Sequence, residues 1–595
     1  MSMQQRRMRF TARDVLSRTP VVERIANYKK ISFFLIIMVL IQPRVAAFRC
    51  GTPVFKARLQ SPPTDAERLA PTAPVHPAAP ALPIGTERTF FAPDFRSLQQ
   101  YTVPAVLRGV GEFCYLYVEE TEWERRVTPR TVDAIIRAFD ERTPAGPRGI
   151  YPTVTELFGA PPDVDANGRV ILLLLNIRDR ADVTGGYTAG FFNSADQGRG
   201  VLRNPGFRGL AIRSNVADML YIDTFPLDIN GEAAHNVIAH ELQHLIHWRH
   251  DSREEIWVDE GCADYAAFVC GYVSREHLAA FEKTPSISLT TWPDASGTAM
   301  PHYGAAFLWM LYLHERYGGT DTLRRIVQHP GTSMNGIATV LAGVGHTANL
   351  ADIFSDWKIA NYVSDYAHVK LALSPTRVHR LPVPRGDGPI AVTRQTLPDF
   401  AAAYLVFEST DVQTATVEPA LQGITLGFSG ETPAHDWTVH VIEYQDDVTY
   451  TVAAVPLTHA GTGAVALSGA RTKAVLIPSL HSEIPRVSAR VATYDYSATR
   501  GANITFVASV LPNPVLPRYW DIVAEPSELL VGLAPTVTLK QEARLYQAAQ
   551  PMKALQDGER YRYTFHLAPT ISPEAITWEL VLEGRTVGEG VLEQN

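Results

Sequence analysis

Two histidines and a glutamate carry the clearest chemistry in the chain. They stand as His240-Glu241-Leu242-Gln243-His244, inside a stretch from Ala233 to Trp248 whose spacing predicts a helix. Helix positions four apart project from one face, so the two imidazoles can share one metal ion. Zinc takes such nitrogens at about 2.0–2.1 Å and favours four ligands. Glu241 is rotated about 100° from His240, so its carboxylate can reach a water on the metal without binding the metal itself. The metal acidifies that water and polarises a carbonyl, while the carboxylate takes the proton and passes it to a leaving group. An amphipathic helix with two exposed histidines is the plainer alternative.

Such a centre needs a third protein ligand, and two residues compete. His250 follows His240 by ten residues, the spacing of the third histidine in metzincins. That arrangement turns the chain sharply where this sequence has His247, and a histidine makes such a turn far less readily than glycine. Glu260 lies in Trp257-Val258-Asp259-Glu260-Gly261-Cys262-Ala263-Asp264, which predicts a second helix facing the first. Asp264, one turn later on the same face, is placed to accept the second N–H of a ligating histidine and fix its tautomer. Two histidines and one glutamate leave a zinc position open, as catalysis requires. Glu260 is therefore preferred to His250, whose aromatic and His-rich turn is read as closing the helix.

HELQH followed by WVDEGCADYAA resembles the gluzincin zinc metallopeptidases. The flanking segments TGGYTAGFF (184–192), SNVADMLYID (214–223), YGAAFLWMLYL (303–313) and FSDWKIANY (354–362) are similar to the hyicolysin-like branch. The resemblance runs from about Asp163 to Tyr366. It implies a zincin fold with His240, His244 and Glu260 as zinc ligands, Glu241 as base and Asp264 behind a ligand. It also implies an edge strand, placed around Tyr221, that takes an extended peptide by strand addition. Gluzincins commonly hold the developing oxyanion with a Tyr or His. His302 and Tyr303 are the candidates, Tyr303 ahead, and starting or packing a helix is the alternative role for both. The expected activity is that of an exported zinc endopeptidase acting on a protein or peptide. The rival is a surface adhesin on a zincin scaffold with a non-catalytic metal site. Structural zinc normally has four closed protein ligands, and three are evident.

The elements that must position these residues follow from the rest of the chain. With 595 residues, 46% hydrophobic and 19% charged, it can bury several cores and is not a mostly disordered protein. The formal charge, 54 − 62 = −8, gives no global field for nucleic acid. An apolar run, Ile31 to Ile41, follows Arg24, Lys29 and Lys30 and precedes Val45-Ala46-Ala47. As a helix it would rise about 16 Å, short of the ~30 Å hydrocarbon core. It reads as a secretory signal over 1–47 cut after Ala47, which places the protein in the periplasm, on the cell surface or outside the cell. Cys50 could carry a lipid anchor, although Arg49 before it makes a poor lipidation signal. A Pro/Ala-rich tether is expected over 48–95 and prolines dominate its middle. No residues between Cys50 and Tyr101 mark an inhibitory prosegment, though the stretch has the length for one.

The expected fold class is an α+β zincin catalytic domain over 96–378, followed by all-β sandwich domains over 379–512 and 513–595. The β domains would meet a substrate, the cell envelope or matrix. Cys262 and Cys270 would lie about 12 Å apart on one helix, too far to bridge, so buried free thiols are expected. Asp163-Val164-Asp165-Ala166-Asn167-Gly168 matches the first half of a calcium loop, but position twelve is Leu174 where a bidentate Glu is needed. An Asx-rich turn is the preferred reading, with Ca²⁺ as the alternative.

Overall fold

The computed structural model describes residues 47–53, residues 81–381 apart from 98, 180–185, 199–200, 204–210 and 294–297, and the strands with their nearer connections between 394 and 591. The stretch expected to be a secretory signal, up to residue 46, and the proline-dense residues 54–80 lie outside the described residues.

The N-terminal half is built on a mixed seven-stranded sheet. Its strands are β1 (Ala47–Cys50), β2 (Glu87–Asp94), β3 (Gln99–Val110), β4 (Cys114–Glu119), β5 (Val170–Leu175) and β6 (Gly186–Phe192). A separate short ribbon joins β7 (Val201–Arg203) to β8 (Ala211–Arg213), and β9 (Met219–Asp223) completes the large sheet. The order is β1-β6-β9-β5-β4-β3-β2. Central β5 pairs in parallel with β4 and β9, and its run Val-Ile-Leu-Leu-Leu-Leu is buried throughout because both faces of the sheet are covered.

Three boundaries differ from expectation. Strands β1 and β2 fall inside the stretch read as tether over 48–95, and they form the two edges of the sheet. The strand around Tyr221 is not an edge: β9 lies between β6 and β5. Its five residues are all buried, and the Tyr221 ring stacks on Phe191 at 4.2 Å while its hydroxyl donates to Asp196 at 2.6 Å. A strand apolar on both faces belongs inside a sheet, and here β6 stands nearer the edge. The third difference lies in the β region. Arg377–Leu381 pairs with Leu405–Ser409, and Phe506–Pro512 pairs with Tyr519–Pro526, so the breaks after 378 and 512 each cut through a strand's own sheet. The break after 512 thus falls at the end of the strand Phe506–Pro512.

The helices are α1 (Pro129–Asp140), α2 (Ile150–Phe158), α3 (Glu232–His250), α4 (Ile256–Val269), α5 (Arg275–Lys283), α6 (Met300–Arg316), α7 (Gly319–Gln328), α8 (Ser333–Gly343) and α9 (Leu350–Val363). A reciprocal Thr128–Thr131 capping box and Pro129 in the first turn start α1. In contrast, α3, α4 and α6 are apolar nearly all round, which suits helices buried on most sides. Helix α3 lies against β6, β9 and α4, and α6 packs on α4 and α5. At the α4–α6 crossing a Cβ on Gly261 would sit 2.7 Å from the Ala306 carbonyl oxygen, so only glycine permits that approach.

Beyond residue 376 the described strands form two pairs of facing sheets. The first encloses Leu405, Phe407, Leu426, Phe428, Trp437 and Tyr494, and the second encloses Trp520, Ile522, Leu539 and Trp578. Helix α9 joins the first pair to the helical region: Ile359, Tyr362 and Val363 pack against Tyr404, Val406, Ile442 and Val475. The Tyr404 hydroxyl donates to the Lys358 carbonyl at 3.2 Å.

Lys358 itself is fully buried at this junction. Its Nζ lies 4.2 Å from the Trp357 ring centroid and 5.0 Å from that of Phe354, and it makes no hydrogen bond among the described residues. Burial pushes its pKa down from 10.5 to about 7. Between those values the unfolded chain holds a proton that the folded chain has released, so stability rises with pH across the window and is lost as pH falls towards 7. Lys358→Met is expected to raise the unfolding midpoint at pH 7 and to remove this rise. Thermal unfolding of parent and variant from pH 6 to pH 10 checks it, and parallel pH profiles would show that Lys358 is not the titrating group.

Candidate metal centre

The site is assembled from three elements. Helix α3 brings His240, Glu241 and His244, helix α4 brings Asp259, Glu260 and Asp264, and strand β1 brings Cys50. Gly190 on β6 lets α3 lie close to the sheet edge: a Cβ there would stand 2.5 Å from Val237 Cγ1 and 3.3 Å from Glu241 Cγ. That close approach holds Glu241 beside β6.

The donor atoms converge. His240 Nε2 is 3.1 Å from His244 Nε2 and 3.1 Å from Glu260 Oε2, and His244 Nε2 is 3.6 Å from Glu260 Oε1. Cys50 Sγ is 3.4 Å from His244 Nε2. One ligand atom from each of these four buried residues lies within 4.8 Å of all the others. The outer nitrogens are anchored separately. His240 Nδ1 lies 3.0 Å from Asp264 Oδ1, and His244 Nδ1 lies 3.0 Å from Asp259 Oδ1. With a carboxylate beside each Nδ1, each Nε2 can offer its lone pair to the common centre. Two such lone pairs at 3.1 Å repel each other unless a proton or a cation lies between them, and nitrogen, oxygen and sulfur donors suit zinc. The residues present therefore fit a zinc ion.

The electrostatics point the same way. Burial alone would lower both imidazoles, but Asp264, Cys50 and Glu260 raise His240, and Asp259 and Glu260 raise His244, well above the ordinary histidine value. Burial works to raise Glu260, yet the neighbouring His244 and His240 hold it lower. The pocket favours positive charge at its centre. Glu241 is raised mainly by burial, and its Oε2 accepts from the Thr52 hydroxyl at 3.0 Å.

Tyr303, at the start of α6, is 2% exposed and clusters with Cys50, Ala299 and Trp292. Its ring stacks on His277 at 4.4 Å and lies 6.4 Å from the His240 ring. His302 turns towards Trp292, 6.1 Å between ring centroids. His250 does not join the group. Helix α3 continues through residue 250, so the sharp turn at His247 is not made, and the His250 ring lies against Gly159 on the far side. His247 instead meets Asp259 Oδ1 at 2.9 Å.

Several contributors carry no readable sequence signal. His277, from α5, bonds Asp264 Oδ2 at 2.6 Å and completes a His240–Asp264–His277 chain. Asp259 carries one signal, its position beside Glu260 on the helix facing α3. Cys50 reads in the sequence as a site for a lipid anchor. Its sulfur is buried among the donors, and Cys262 and Cys270 are buried and not joined in a disulfide, as expected.

The aspartate-rich loop has a different third partner from the one its spacing suggested. Leu174 is buried inside β5, and the third carboxylate is Asp218, whose Oδ2 accepts from Val164 N at 2.7 Å. Asp163 Oδ1 accepts from the backbone N–H groups of Asn167 and Gly168, both at 3.1 Å, which is the Asx turn. Burial pushes Asp165 up to about 6 and Asp218 up to about 8.

Among the described residues no helix is long and apolar enough to cross a membrane. No family model matches the chain. Solved structures that resemble it include the glycoside hydrolase domain of Endo-D from Streptococcus pneumoniae R6 (9% identity, 34% of this chain and 32% of that one, TM-score 0.14). Another is Bifidobacterium dentium beta-glucuronidase (9% identity, 32% and 38%, TM-score 0.12). Scores this low carry no argument about fold or function. The sequence comparison is more informative. Over 293 residues the chain is 24% identical to the neutral metalloprotease ShpI of Staphylococcus hyicus, across 46% of this chain and 62% of that protein. The chain thus spans about three fifths of the length of that relative, and the relationship it shows is to a metalloprotease.

Proposed function

We propose that the chain is an exported zinc endopeptidase of the gluzincin kind, close to the hyicolysin-like branch. His240, His244 and Glu260 hold the metal and Glu241 is the general base. The observation that carries this reading is the convergence of both Nε2 atoms and the Glu260 carboxylate on one point, with an aspartate beside each Nδ1. Zinc bound there supplies the Lewis acidity that polarises a peptide carbonyl and makes water a nucleophile near neutral pH.

The chain's own residues do the rest. Glu241 takes a proton from the attacking water and passes it to the departing amine. Asp264 and Asp259 fix the two imidazoles, and His277 steadies Asp264. Tyr303 is assigned to the developing oxyanion, because its buried ring stands beside both His240 and the Cys50 position. An extended peptide would be taken at the edge of β6, where backbone groups can add a strand. The catalytic part comprises the seven-stranded sheet and the helices to α9, and the two β-sandwiches that follow serve docking to a substrate, the cell envelope or matrix. Export rests on the basic and apolar sequence up to Ala47. One observation favours the rival adhesin reading: Cys50 makes a fourth donor, and four closed protein ligands are what structural zinc has.

Glu241→Gln is expected to keep zinc while turnover of a denatured protein falls about 10²–10⁴-fold. Glu260→Ala should lose the metal, whereas His250→Ala should retain it. Metal analysis beside an activity assay checks all three, and full activity in Glu241→Gln would remove the mechanism. Asp259→Asn should weaken zinc about 10–100-fold by freeing the His244 ring. Titration against a chelator of known affinity measures this, and unchanged affinity would assign Asp259 to packing alone.

A further inference from the structure

The mechanism above uses neither Cys50 nor the strand that carries it, yet both lie in the site. Strand β1 pairs in parallel with β6, Ala47 to Gly186, Phe48 to Tyr187, Arg49 to Thr188 and Cys50 to Gly190, with a break in register between Arg49 and Cys50. The ladder continues through Gly51 N, which donates to the Gly190 carbonyl at 2.9 Å. The chain from Ala47 to Gly51 therefore occupies the edge where a peptide substrate would add. The register break turns Cys50 inward, where its sulfur stands among His240, His244 and Glu260. Two residues later the Thr52 side chain is tied to the same machinery: its hydroxyl donates to Glu241 Oε2 at 3.0 Å and accepts from Phe192 N at 2.9 Å.

Three functions of the proposed enzyme are blocked at once. The substrate's strand position is filled, the open metal position faces a thiol, and the base is hydrogen-bonded to a threonine. The seat is also fitted closely: a Cβ on Gly51 would lie 2.9 Å from Phe95 Cζ, 2.9 Å from Thr188 Cγ2 and 3.0 Å from Phe191 Cβ. Resting on the metal-site reading above, we infer that residues 47–53 form an inhibitory segment. Cys50 closes the zinc coordination as a fourth protein ligand while Thr52 engages Glu241, and the enzyme is latent until this segment leaves.

The chemistry is reversible. The thiol gives its proton to solvent when the sulfur ligates and regains one when the strand departs. Release is physically accessible because β1 is a four-residue strand with a single partner at the sheet's edge. The expected signal cut after Ala47 would leave Cys50 and Thr52 in place, so latency outlasts export and ends by a second event, proteolytic or thiol-directed. A closed four-ligand structural site would have the same donors, but it gives no reason for the same short segment to fill the substrate edge and bond the base.

The test uses the whole chain loaded with cobalt(II), beside Cys50→Ala and Gly51→Val. The second variant keeps the thiol but unseats the strand. The parent should bind about one cobalt, show a near-ultraviolet sulfur-to-cobalt charge-transfer band, and turn over a denatured protein slowly. Both variants should lose the band and gain about tenfold or more in turnover, because activity follows the open fraction. Cobalt bound without the band would overturn the inference while leaving the metal-site reading intact. A band lost in both variants with no gain in turnover would make the site a closed structural one. No cobalt in the parent would overturn both readings.

Discussion

Four imidazoles and four carboxylates share one apolar interior, and their mutual satisfaction is the condition on which the N-terminal half depends. His240, His244, His247 and His277, with Glu241, Asp259, Glu260 and Asp264, are each at most 5% exposed. Groups buried that deeply cost several kcal/mol apiece unless each finds a partner. Helix α4 supplies most of the partners, with Asp264 for His240 and His277, Asp259 for His244 and His247, and Glu260 between the two inner nitrogens. The α3–α4 contact is thus as much an electrostatic requirement as a hydrophobic one. The close α4–α6 crossing at Gly261 fixes the helix that carries those carboxylates.

The same constraint connects the site to the sheet. Glu241 faces β6 across Gly190. Its carboxylate reaches the side of β6 on which another strand can add. In this structure that strand is β1, and a threonine hydroxyl satisfies the buried carboxylate. A short peptide segment therefore does for Glu241 what the aspartates do for the histidines. Removing it would expose a carboxylate, a donor set and an unpaired edge together, so under the proposed function one local event switches binding and chemistry at the same time.

Much of this arrangement could be read along the chain. Helical spacing alone puts His240 and His244 on one face and separates Glu241 from them, because a helix has a fixed rotation per residue. A short run beginning Trp257-Val258-Asp259-Glu260 likewise sets carboxylates on the next helix, and the continuous apolar run of β5 marks a strand covered on both faces. The resemblance was a poorer guide to strand order. The apolar strand holding Tyr221 is interior, although the resemblance placed it at an edge, because neighbours are set by strand order and not by composition.

What the sequence determined by itself is therefore local: which residues share a helix face, and which strands are buried. The tertiary structure decided which distant segments meet. Cys50 lies 194 residues from His244, and His277 reaches Asp264 from a separate helix. No periodicity encodes such contacts. They arise because β1 adds to β6 at the sheet edge and α5 packs against α6, which brings a thiol, a hydroxyl and an imidazole to buried groups that needed partners.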